Sequence, residues 1–281
     1  MSANVTSMRD VLYEAPGPKM RRRIIIGTVI SLILVLIGLA LIIRQFYVTG
    51  QLAPRYWELF LKPTTWAFLG RGFLGTIQVA VTAGAIALVL GMVLMLGRIS
   101  KIAPLRVVSR IIIDFFRGVP SLLLIYFFFL VIPKYGIRMP SFWMLTLPVA
   151  FAASGVLAEV FRAGVNAVPK GQTEAAMSIG MTDGKIMSKI VLPQALKIVI
   201  PSLVSQLVVV VKDTTVAYVV SYPDLMQNAR VLITNYDVLV SMYFVIAIIY
   251  ILVNFGINQL SIWMARRSGT RIITRNTEDP I

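Results

Sequence analysis

Residues 72–97 read GFLGTIQVAVTAGAIALVLGMVLMLG, 26 positions without one ionisable side chain. A helix of that length rises about 39 Å, which exceeds the roughly 30 Å of hydrocarbon in a bilayer. A helix on the surface of a soluble core keeps a polar stripe, whereas this run is apolar on every face. A membrane strand would alternate polar and apolar residues over about ten positions, so a lipid-embedded helix is the form that satisfies the backbone.

Five further runs have the same character, at residues 24–43, 111–132, 142–164, 198–222 and 239–264. The expected fold class is all-α, a polytopic membrane helical bundle with six transmembrane helices. Composition agrees: 58% of residues are hydrophobic and 14% charged, with mean hydropathy +0.83. A soluble chain of 281 residues could not cover so large a core with polar surface.

The formal charge of +15 would suggest nucleic acid in a soluble protein, but its placement points to lipid. Lys and Arg in short loops are retained on the cytoplasmic side. With the N-terminus inside, that side holds 18 of the 27 cations: Arg9, Lys19 and Arg21 to Arg23; Arg98, Lys101, Arg106 and Arg110; Arg162, Lys170, Lys185, Lys189 and Lys197; and Arg266, Arg267, Arg271 and Arg275. Seven lie outside, and Arg117 and Lys212 fall within spans. Both termini are therefore expected in the cytoplasm, at a plasma membrane whose anionic lipid suits the basic face, with no nucleic-acid partner. The first run is read as a retained anchor, because it is longer than the apolar core of a signal peptide. Trp57 and Trp66 after it suit an outer interface.

The chain has no Cys and no His, which removes disulfides, thiol nucleophiles and the commonest metal ligand. It also has no Gly-rich loop ending in Lys-Ser/Thr, so it is not expected to hydrolyse ATP itself, and neither a cofactor nor a metal site is expected. Small residues one turn apart, Ala83, Ala87 and Gly91 in the second span and Ala150, Ser154 and Ala158 in the fourth, mark expected helix-packing seams.

Between the fourth and fifth spans the chain carries a helical pattern of its own. Pro169 and Gly171 open it, Glu174 to Ile179 make a short helix, and Gly180 is a residue able to end one in the left-handed conformation. Thr182 and Asp183 are expected to cap a second helix bearing Ile186 and Ile190 on one face, stopped by Pro193. Such a knuckle suits a groove on a soluble partner, and the alternative is an amphipathic hairpin lying on the inner leaflet.

Glu174-Ala175-Ala176, three residues, Gly180, nine residues, then Ile190-Val191-Leu192-Pro193 resembles the EAA loop of ABC importer permeases in both residue and spacing. Four flanking stretches, Arg117-Gly118-Val119-Pro120, Ala158 to Gly164, Val168 to Gln172 and Lys212-Asp213-Thr214-Thr215, are similar to permeases for polar amino acids. Within that family the chain is most similar to the second permease of actinobacterial glutamate importers. The resemblance runs from about Phe68 to the sixth span. It implies a five-helix permease core at 72–264, with the EAA loop at 165–197 acting as a cytoplasmic coupling helix. Residues 1–23 form a basic tail, 24–71 an added N-terminal helix and outer loop, and 265–281 a second tail.

What the resemblance implies for function is an amino-acid import permease, for glutamate or glutamine before arginine or cystine. It forms half of a pore with a second permease, a heterodimer being favoured over a homodimer. ATP and Mg are held by partner nucleotide-binding ATPase subunits, and substrate is delivered by an extracytoplasmic solute-binding protein. ATPase coupling is expected from Glu174, Ala175, Ala176, Gly180, Ile190, Leu192 and Pro193.

Ionisable groups at mid-span cost about 2.5 to 3.5 kcal/mol each and need a partner, water or a function. Lys212 and Asp213 are neighbours on a helix and do not face each other, so they suit the two ends of an amino-acid zwitterion. Thr214, Thr215 and Gln206 add hydrogen-bonding capacity, and Glu159 is a further candidate contact, although pairing with Arg162 would make it a brace. The competing reading of Lys212 and Asp213 is that they pair with charges on neighbouring helices. Asp114 and Arg117 are expected to form an i,i+3 ion pair ahead of a helix break at Gly118 and Pro120. An ion-coupled secondary transporter would show broken helices in two matching halves, and only the third span has an obvious break. A membrane enzyme lacks the polar cluster that it would need.

Overall fold

The computed structural model describes residues 17–267, so residues 1–16 and 268–281, with Arg9, Arg271 and Arg275, lie outside the described residues, whereas 18–23 of the expected N-terminal tail are already helical. Among the described residues the chain is helical and contains no strand. Two units separate at Trp57 and Glu58. The first holds helix α1, Pro18–Val48, which starts on a proline at its first turn and has no buried residue along its length. Such a helix finds its solvent in lipid.

The second unit is the bundle. Helix α2 spans Pro63–Arg98, α3 Ala103–Gly118 and α4 Ser121–Tyr126, and α4 runs on through wide and tight turns to Tyr135. Helix α5 spans Ser141–Ala167, α6 Lys170–Ser178 and α7 Asp183–Ile186. Helix α8 spans Leu192–Asp213, α9 Leu225–Tyr236 and α10 Leu239–Arg267. Five helices are long and apolar enough to cross a membrane, and six spans result when α3 and the α4 segment, bent by 99°, count as one. That bend lies at Gly118-Val119-Pro120, as expected from the proline.

Helix α5 is the centre. Its apolar stretch is 56% buried, against 17% for α10, and it packs on α2, α3, α4 and α8. The small-residue seams meet here: Ala83, Ala87, Ala150, Ser154 and Ala158 are all buried, and a Cβ on Gly91 would lie 2.9 Å from Leu157 Cβ and 3.1 Å from the Ser154 carbonyl. Backbones approach to this distance only where side chains are small. Leu145, Val149, Val79, Ile125 and Val210 fill one layer of the core, and Met95, Ile113, Leu157 and Phe161 fill the layer toward the α6 loop.

Three expectations change. Helix α2 begins at Pro63, nine residues before the apolar run, because a proline preset for the first turn starts it and Trp66 Nε1 donates to the Phe60 carbonyl at 2.8 Å. Trp66 and Arg71 are therefore helical, not part of a loop. The fifth span leaves α-geometry at Asp213 and tightens to a 3-10 turn over Thr214–Val220, ending with Ser221 at φ 52°. The Thr214 and Thr215 hydroxyls donate to the Val211 and Lys212 carbonyls at 2.9 and 2.7 Å, which favours the tighter winding. A break is thus present in two spans rather than one. Residues 225–236, read from sequence as loop, form α9.

Candidate functional site

The α6 loop is built by one glycine. Gly180 takes φ +77°, its N–H donates to the Met177 carbonyl at 2.9 Å, and the Met181 N–H donates to the Ala176 carbonyl at 3.1 Å. Those two bonds are the Schellman pair that closes a helix C-terminus and reverses the chain. Ala176 is buried among Val168, Ile186, Val191 and Ala195, which anchors the knuckle to the base of α8. Glu174, Ala175, Met177 and Ile179 face outward, Ile179 at 78% exposure, so a short apolar ridge projects from the bundle.

Two expected details of this loop are corrected. Thr182 occupies the cap position of α7, but its side chain makes no cap bond, and Asp183 instead pairs with Lys101 at the α2–α3 connection. Pro193 does not stop the helix: the chain winds through a wide π turn at Met187–Val191 and continues as α8 with Pro193 in its first turn. Proline lacks the N–H that a regular helical bond would need here, and the wide π turn lies in the residues just before it. Ile190 and Leu192 are half-buried at this junction and Pro193 is exposed. A recess of about 750 Å³ opens between the end of α2 and this loop, lined by Leu96, Lys101, Glu174 and Met187 among others.

Charges at the same end of the bundle tie three helices together. Glu159 on α5 lies 2.6 Å from Arg98 on α2 and 2.8 Å from Arg162, so the brace expected within α5 is present and extends across to α2. Asp114 on α3 pairs with Arg98 at 3.7 Å and Arg110 at 3.6 Å, not with Arg117 as expected. The reason is local packing: a Cβ on Gly155 of α5 would lie 3.1 Å from Arg117 Cγ, so the Arg117 stem lies along α5 and its head is carried away from Asp114.

At mid-span the expected polar set divides. Lys212 is exposed, and Asp213 is half-buried with its carboxylate facing the Ser121 hydroxyl just past the helix break. Among the described residues neither forms an ion pair. Gln206 and Thr215 are half-buried. Thr214 is fully buried beside Tyr250 with its hydroxyl turned to its own helix, so its place is in the packing.

Sequence reasoning missed the polar joint that fastens α9 to α2. The Asp224 carboxylate accepts from the Gln227 N–H at 2.7 Å, the Leu225 N–H donates to Thr76 Oγ1 at 3.1 Å, and the Asn228 amide donates to the Phe68 carbonyl at 2.8 Å. Gly72 permits the approach, since a Cβ there would lie 2.7 Å from the Asp224 carbonyl. The signal available was Asp224 three residues before Gln227, the spacing of a helix-capping pair.

Comparisons place this architecture among known proteins. Residues 87–269 match the family described as binding-protein-dependent transport system inner membrane component. The glutamate transport system permease protein GluD of Corynebacterium glutamicum is 35% identical over 245 residues, covering 82% of this chain and 88% of that one. The probable glutamine ABC transporter permease protein GlnM of Bacillus subtilis is 35% identical over 193 residues, covering 67% and 89%. Among solved structures, the crystal structure of an amino acid ABC transporter with histidines superposes with TM-score 0.67 at 28% identity, over 72% of this chain and 94% of that one. The helical bundle, the EAA loop closed at Gly180 and these matches agree, and the chain belongs to the binding-protein-dependent transport system inner membrane components, the multi-pass permease subunits of ABC importers.

Proposed function

We propose that this chain forms half of the pore of an ATP-driven importer for a polar amino acid, glutamate or glutamine, and that the α6 knuckle is its contact with the ATPase. The observation that carries the reading is the knuckle itself. Ala176 is locked into the bundle while Met177 and Ile179, one and three residues on, stand free in the same short segment. A force applied to that ridge is carried through Ile186, Val191 and Ala195 into α8, the helix that ends in Lys212 and Asp213. The relatives named for glutamate and glutamine transport support the substrate class.

In this reading both termini and the α6 loop lie in the cytoplasm, a second permease completes the pore, and a solute-binding protein delivers substrate at the other face. ATP and Mg are held by the ATPase subunits, and this chain performs no hydrolysis. ATP binding and substrate delivery each favour one of two pore states through their different affinity for it. Ile179→Asp places a charge on the ridge without disturbing Ala176, and is expected to abolish co-purification of the ATPase subunits. Retention of a full complement of ATPase would overturn the assignment of the knuckle. The native chain contains no cysteine, so Ser178→Cys offers a single label site, which should react only from the cytoplasmic side.

A further inference from the structure

A groove of about 830 Å³ runs down the half of α2 that lies away from the α6 loop. Phe68, Arg71, Leu74, Gln78 and Val81, three or four residues apart, form one stripe of α2 and one wall of the groove, and Tyr222 and Pro223 form the other. The walls come together because Gly75 has no side chain: a Cβ there would collide with the Pro223 carbonyl. Gln78 is turned to the far wall, its Oε1 accepting from the Tyr222 hydroxyl at 3.4 Å. The face left open is mostly apolar, with Leu74 and Val81 each 64% exposed.

Arg71 stands at the head of this groove. It is exposed, makes no ion pair among the described residues, and is the last ionisable residue before the uncharged run 72–97. Trp66, exposed and little more than one turn earlier, marks the interface, where indole rings collect. An arginine on a helix leans back toward the N-terminus, which carries the Arg71 guanidinium up to the headgroup level. From Arg71 to Thr82, the deepest residue of the groove, α2 rises about 16 Å, close to half of the roughly 30 Å hydrocarbon core and so one leaflet deep. We propose that this groove binds an anionic phospholipid, with its phosphate on Arg71 and one acyl chain along Leu74 and Val81. A helix of a partner chain could fill the slot, but it would meet Arg71 only if it carried an acid at that depth, whereas the lipid brings its phosphate to the right level. The site needs only the membrane-spanning bundle and stands apart from the choice of transported amino acid.

The test adds phosphatidylglycerol or phosphatidylcholine, matched in acyl chains, to the delipidated complex of this chain with its partner subunits, and measures bound lipid by native mass spectrometry. Native complex is expected to hold phosphatidylglycerol about fivefold more tightly, the worth of one cation beside an anionic headgroup. Arg71→Gln is expected to bring that ratio close to one, and Arg71→Lys to keep most of it. Arg138→Gln removes another exposed cation at the same end of the bundle and should leave the ratio unchanged. Val81→Trp fills the slot without touching Arg71 and should weaken retention of both lipids. A native ratio near one, an unchanged ratio in Arg71→Gln, or full retention in Val81→Trp overturns the proposal. Equal loss of preference in Arg71→Gln and Arg138→Gln also overturns it, since the preference would then belong to the general charge of that face. If Val81→Trp strips the partner permease from the complex while Arg71→Gln keeps the native ratio, the groove holds a partner helix and the proposal fails.

Discussion

At the residue scale, Gly180 and Asp224 each hold a turn by a different physical device. Gly180 sits at φ +77° with open space where a Cβ would go, so a substitution there meets backbone strain and no collision. The left-handed conformation costs an L-residue roughly 1 to 2 kcal/mol, more when β-branched, and least for Asn. Gly180→Val is therefore expected to uncouple ATP hydrolysis from transport, with Gly180→Asn retaining most of the coupling. Equal loss in both variants would point to the missing space rather than the dihedral angle. Asp224, outside the membrane-spanning segments, has one oxygen on the Gln227 N–H and the other buried without a partner. Burial pushes its carboxyl up from 3.8 to about 6. The folded state thus keeps the proton to higher pH than the unfolded chain, so the stability from this group is complete below about pH 3.8 and is lost as pH rises through about 6. Asp224→Asn keeps a capping oxygen and removes the titration, so between about pH 5 and 7 the native melting temperature should fall relative to the variant. Parallel curves would contradict this.

At the scale of elements, the ion-pair chain from α3 through Arg98 to Glu159 and Arg162 joins α2, α3 and α5 at the end of the bundle that carries the α6 loop. Glu159→Gln leaves Arg98 and Arg162 facing each other, half-buried, and a broken pair of this kind costs about 3 kcal/mol when fully buried and less here. The expected outcome is a lower melting temperature that Arg98→Gln in the same chain partly restores; additive losses would mean that the two residues do not interact. The spans were legible because lipid demands long apolar helices, and the knuckle because Gly180 and the EAA spacing are local. What could not be read were choices settled by packing between helices. Asp114 had Arg117, Arg110 and Arg98 within reach, and Gly155 on a distant helix decided among them. Pro193 looked like a stop until the π turn ahead of it absorbed the missing donor. Helix α9 is short, and it holds its place through Thr76 and Phe68 on another helix, about 150 residues away in sequence.

At the scale of the whole molecule, one path links the two ends of the α8 region. The ridge at Met177 and Ile179 bears on Ala176, that anchor packs on the base of α8, and α8 ends in Lys212 and Asp213 beside the break in the third span. In the proposed reading, an ATPase closing on the ridge would move Lys212 and Asp213, the residues proposed to contact substrate. The most direct measurement is uptake of labelled glutamate and glutamine into proteoliposomes containing this chain, its partner permease, the ATPase subunits and the binding protein, with native protein compared with Asp213→Asn. The expected result is uptake of one of the two that requires ATP and falls at least about tenfold in the variant, since a charged hydrogen-bond partner is removed. Uptake driven by an ion gradient without ATP, or an unchanged rate in Asp213→Asn, would contradict it.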